Sequence, residues 1–162
     1  MRTILFLSLS IALLFLAGCS GNDSRPSDMP RLYPVSITIT QEGQPLEGAT
    51  VALEAETPSI YSASGITNAS GVAVLRTYGF NGAPAGNYVV LVSKTVAENQ
   101  REITTFEGTT ELVGGESYGH VDPLFSRADT STLRITVTER GATETFDVGA
   151  PVRVFLWNNP TN

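Results

Sequence analysis

The chain of 162 residues carries ten Lys and Arg against sixteen Asp and Glu, a net charge of −6, with one cysteine and one histidine. The length fits one domain, and an acidic chain with a single lysine and dispersed arginines lacks the basic face that nucleic-acid binding requires. One cysteine and one histidine also exclude an internal disulfide and the three or four N/S ligands of a zinc site.

Arg2 precedes an apolar run from Ile4 to Leu16, relieved only by Ser8 and Ser10 and followed by the small residues Ala17 and Gly18. This is the layout of a signal peptide. The run falls short of the roughly 20 apolar residues that span a bilayer as a helix, and no stop-transfer charge cluster follows it. Residues 1–18 are therefore expected to direct export and to be removed. Leu16-Ala17-Gly18-Cys19 resembles the lipobox of bacterial lipoproteins, in which the thiol is acylated and the preceding bond is cut. The resemblance implies a lipid on Cys19, and two acyl chains hold a protein stably where one holds it marginally. Ser20, rather than an aspartate, follows Cys19. In such lipoproteins that implies a place in the cell envelope at the outer membrane, on its periplasmic or surface face. Processing would leave 144 of the 162 residues and, with Arg2 gone, take the net charge from −6 to −7.

Residues 19–32 are rich in turn formers and almost empty of large apolar side chains, so they are expected to form a flexible tether reaching up to ~40 Å when extended. From Tyr33 the periodicity is two. Val35, Ile37 and Ile39 alternate with Ser36, Thr38 and Thr40, which predicts a strand with one buried face. A turn at Gln44 to Gly48 leads to a strand whose inward face is Ala49, Val51 and Leu53. A second turn, Asn68-Ala69-Ser70-Gly71, leads to Val72–Leu75, where apolar residues on both faces predict burial on both sides. Pro84-Ala85-Gly86 opens the strongest strand, Asn87 to Val96, with Tyr88, Val90 and Val92 facing one way and Val89 and Leu91 the other; it is expected at the centre of a sheet. Residues 97–131 read as a long surface excursion, with a short strand at Ile103–Phe106. Leu133, Ile135 and Val137, a turn at Arg140-Gly141 and Thr143–Val148 predict a hairpin. Val152–Trp157, within the extension 149–162, predicts an edge strand. Seven or eight short strands with regular turn signals predict an all-β, two-sheet sandwich over residues 33–148.

Three segments, Gly43-Gln44-Pro45-Leu46-Glu47-Gly48-Ala49-Thr50-Val51, Thr67-Asn68-Ala69-Ser70-Gly71-Val72-Ala73 and Pro84-Ala85-Gly86-Asn87-Tyr88-Val89-Val90, together resemble the carboxypeptidase regulatory-like domain, an immunoglobulin-like sandwich of the transthyretin type. In physical terms Gly48 and Gly71 suit turns with positive φ, Pro45 opens a turn, and Tyr88 is an amphipathic plug at the sandwich edge. Asp129 to Val137 and Phe146-Asp147-Val148, with Tyr78-Gly79 and Ser93-Lys94-Thr95, are similar to small lipoproteins of this fold abundant in planctomycete-type bacteria. Thr132 departs from them, since a proline is usual there. The resemblance implies the fold and says little of activity, because its motifs are turn and core positions.

No catalytic, cofactor or metal site is predicted. His120 and Asp122 form the only His-x-acid pair, and an acid–base or metal role would need further convergent groups. No Gly-x-Ser-x-Gly elbow surrounds a serine. Glu116, Asp122 and Asp129 share a loop, yet calcium takes six to eight oxygens and no Asp-x-Asp-x-Asp run supplies them. Asn68-Ala69-Ser70 reads as a turn before a glycosylation acceptor. The aromatics Tyr61, Tyr78, Phe80, Tyr118, Phe125, Phe155 and Trp157 invite a carbohydrate-binding reading, most of them being expected in the core or at sheet edges; Tyr78 and Phe80 flank Gly79 in a turn-rich loop and are the best candidates for ligand contact, and His120 is a further candidate. The expectation is a non-enzymatic, lipid-anchored envelope domain acting in spacing, adhesion or docking to an exported protein. The alternative is a module binding a glycan or peptide through the loop 107–131 or a free sheet edge.

Overall fold

A computed structural model describes residues 25–155. The expectations for Cys19, for the leader before it, and for Leu156 and Trp157 lie outside the described residues.

The chain folds as an all-β sandwich. Strand β1 (Val35–Gln41) alternates buried and half-buried residues along its whole length, as its sequence requires. β2 (Thr50–Ala55), β3 (Ala63–Ile66), β4 (Val72–Val74) and β5 (Gly86–Ser93) follow. Then come β6 (Thr95–Glu98), β7 (Arg101–Thr104), β8 (Thr110–Val113) and β9 (Glu116–Gly119), and finally β10 (Arg134–Val137) and β11 (Ala142–Asp147). One layer is antiparallel, in the order β10-β5-β2-β3, extended by the two-residue strands Arg76–Thr77 and Phe80–Asn81. The other layer centres on β1, which pairs in parallel with β11 and antiparallel with β4 and Gln44–Pro45.

The layers meet through Ile37 and Ile39 of β1, Val51 and Leu53 of β2, Leu75, and Val90 and Val92 of β5, all essentially sealed from solvent. Burying each such side chain contributes about 1.5–3 kcal/mol. As its two apolar faces predict, β5 is interior, flanked by β2 and β10. Tyr88 is buried beneath its first residues, and its hydroxyl donates to the Pro84 carbonyl at 2.8 Å. This Pro84-to-Tyr88 corner fixes where the strand begins.

The structure corrects four local expectations. Thr138 and Gly141 make only an isolated bridge, and the chain then crosses between layers: Ala142 N–H donates to Pro34 O at 2.9 Å and β11 joins β1 in parallel. Alternation in β10 and β11 is the same for a hairpin as for a crossover, so periodicity did not separate them. Val72–Leu75 is buried on one side only; Ala73 and Leu75 face the core while Val74 is 59% exposed. The excursion at 97–131 is largely ordered, because Thr95–Gly119 forms a long ribbon in which β6 pairs with β9 and β7 with β8. Finally, the tether is tied down before its predicted end: Met29 is buried and Leu32 pairs with Pro84.

Candidate functional site

The ribbon is the most distinctive surface feature. It leaves the sandwich after Ser93 and returns at Gly119, and its root is fixed from several directions. His120 N–H donates to Lys94 O at 2.8 Å, while the His120 carbonyl accepts from Val152 N–H and from Gln41 Nε2. Val154–Phe155 adds a third strand beside β9, in register with Tyr118 and Gly119. Tyr118 is buried there, edge-to-face with Phe155 at 5.3 Å and covered by the Arg153 guanidinium at 3.8 Å, and Arg153 also pairs with Glu98 at 2.9 Å. Past this root the ribbon is solvated on both faces. Ile103 is 40% and Leu112 60% exposed, and Phe106, in the loop at the tip, is fully exposed. Glu98, Glu102, Glu107, Glu111 and Glu116 against Arg101 make the arm acidic.

His120 therefore serves the arm's root through its backbone. Among the described residues its ring makes no hydrogen bond. Asp122 caps the short 3₁₀ turn Pro123–Ser126, its carboxylate accepting from Leu124 N–H at 3.0 Å. Asp129 is held by Arg127 at 2.6 Å, which keeps its carboxyl below the usual carboxylate range. Glu116 accepts from the Tyr118 hydroxyl. The three loop carboxylates thus have separate partners, and among the described residues no three of His, Cys, Asp or Glu gather as metal ligands. Asn68 Oδ1 accepts from Ser70 and Val72 N–H groups, closing the turn that its sequence predicts.

Tyr78 and His120 are not brought together: His120 sits where β5 ends, and Tyr78 on the outermost hairpin of the six-stranded layer. Tyr78 is 65% exposed, whereas Phe80 is half-buried. Tyr78 and Gly79 have φ of 49° and 86°, both positive as in a type I′ two-residue turn. Such a turn favours Asn-Gly, and a bulky residue held in a sparsely populated conformation costs on the order of 1–3 kcal/mol. The tyrosine's partner there is Tyr61, whose ring stands at 88° to it with centroids 5.9 Å apart. Sequence reasoning named both tyrosines without pairing them, because sixteen residues and a turn lie between them. A groove of about 410 Å³ between Pro34, Val74, Gly82, Arg140 and Thr143 contains none of the predicted contact residues.

No known family's sequence pattern matches the chain, and no curated protein does. Among solved structures, a 9R-lipoxygenase from Cyanothece PCC8801 aligns with 85% of this chain and 19% of its own at 12% identity and a TM-score of 0.29. The chain spans about a fifth of that protein, and a likeness at this score carries no weight for fold or activity.

Proposed function

We propose that this protein is a non-catalytic, lipid-anchored domain of the bacterial cell envelope that docks to another exported protein through its β-ribbon arm. The arm's composition carries the reading. A two-stranded ribbon without a core is marginal in water, and β7 and β8 lack a third strand among the described residues. Exposed Ile103, Leu112 and Phe106 offer apolar anchors, and the unpaired outer edges of β7 and β8 offer backbone groups for strand addition. The acidic frame disfavours pairing of two arms with each other and selects a partner whose apolar cleft has a basic rim. Anchoring through Cys19 follows from the lipobox resemblance. Membership of the carboxypeptidase regulatory-like group is supported by the positions its motifs occupy: Gly48 and Gly71 both have positive φ, and Tyr88 closes on Pro84.

The test is a photoreactive phenylalanine analogue in place of Phe106 in the full chain, illuminated in intact cells, with the same analogue at exposed Glu47 as reference. A discrete adduct with another protein is expected from position 106 alone, and it should disappear when Glu107 and Glu111 become lysine. Absence of an adduct at 106, or equal adducts at both positions, would overturn docking through the arm.

A further inference from the structure

We infer that Tyr61 and Tyr78 form a binding corner for a neutral saccharide, separate from the docking arm. The two rings stand at right angles, 5.9 Å apart, so a pyranose stacked on one face meets the second ring along its edge. The corner is rigid before any ligand arrives, which reduces the ordering cost of binding. The Tyr78 hydroxyl donates to Ile60 O at 3.0 Å, its backbone is held at φ 49°, and the pairing of Ser64 with Arg76 brings together the segments that follow Tyr61 and precede Tyr78. Ile60, 72% exposed, widens the apolar floor.

Polar groups of the kind that read sugar hydroxyls flank this floor. Arg76 Nε donates to Asn81 Oδ1 at 3.0 Å in the hairpin that carries Tyr78. An acidic chain of net charge −6 repels anionic glycans, which leaves neutral ones. A left-handed tyrosine where asparagine or glycine would relieve strain is the second observation. Strain of this kind persists at sites of function, and here it aims an exposed ring outward without adding to the core. Proline-rich peptides also dock on aromatic surfaces, but they lie in grooves between aromatic ridges; two perpendicular rings form a corner and no groove.

The experiment is native affinity electrophoresis of the full-length protein in detergent, through gels containing a soluble β-glucan, a galactomannan or a xylan. Retardation in at least one is expected. Tyr78→Gly should be more stable than wild type, since glycine takes the turn without strain, yet bind at least tenfold more weakly. Tyr61→Ala should weaken binding similarly, while Phe106→Ser binds as wild type does, which separates this corner from the arm. Wild-type mobility unchanged by all three polysaccharides would overturn the inference, as would unaltered retardation of Tyr78→Gly or displacement of the polysaccharide by a polyproline peptide.

Discussion

The Asp147 carboxylate holds Gly43 from 104 residues away: Oδ2 accepts the Gly43 N–H at 2.8 Å and the Thr40 hydroxyl at 2.7 Å, while Oδ1 accepts Gly149 N–H at 2.8 Å. One side chain thereby joins the end of β11 to the end of β1 and to the turn that follows it.

These donors, the Gly43 amide foremost, hold the Asp147 carboxyl below its ordinary range. A carboxyl whose folded pKa is depressed stabilises the fold fully above the unfolded value, about 3.9, and loses that contribution as pH falls through the lower folded value. Asp147→Asn is thus expected to melt below wild type at pH 7, with the gap narrowing as both are taken from pH 4 toward pH 2. Thermal melts across that range check it. A gap independent of pH would show that the charge is not what matters.

The corner at Tyr88 gives a second expectation. Burial raises the phenol's pKa, so the hydroxyl stays a donor to Pro84 O over the whole working range. Tyr88→Phe leaves a buried carbonyl without its partner and should cost about 1–3 kcal/mol. Urea unfolding would show this as a lower midpoint with unchanged slope.

A third concerns the crossover. Gly141 has φ 89°, and a Cβ there would lie 2.3 Å from Pro34 O. Gly141→Ala therefore has to displace the backbone at which β10 leaves one layer and β11 joins the other. It is expected to destabilise the domain far more than Gly43→Ala, where a Cβ meets nothing within 4 Å. Comparing the two unfolding midpoints tests this, because both positions need positive φ and only one is crowded.

The arm behaves oppositely. Phe106 is fully exposed, so Phe106→Ser should alter stability by no more than about 0.5 kcal/mol while abolishing capture of the docking partner. Equilibrium unfolding and co-purification of cross-linked partner from the same cells would separate the two effects.

How much the amino-acid order revealed depended on whether a segment has one buried face. β1 and β5 were legible because a core face imprints alternation on Val35, Ile37 and Ile39, and on Tyr88, Val90 and Val92. The ribbon Thr95–Gly119 was not, since beyond its root at Tyr118 both of its faces meet water and nothing selects apolar residues at every second position. Parallel pairing of β11 with β1 was equally hidden, because register between distant strands leaves no local mark. At the aromatic corner the sequence singled out Tyr78, through its place beside Gly79. That Tyr61 is its partner became visible only in the fold, where the two rings stand 5.9 Å apart. For Cys19 the sequence is the sole source, through the lipobox resemblance.

That cysteine carries the central claim, that the domain acts from a lipid anchor. Metabolic labelling with palmitate, applied to wild type and to Cys19→Ala and followed by membrane fractionation, tests it most directly. The account predicts that label and membrane association are both present in wild type and both lost in the variant. Label and association that persist without the thiol would contradict it and assign retention to the apolar N-terminal run instead.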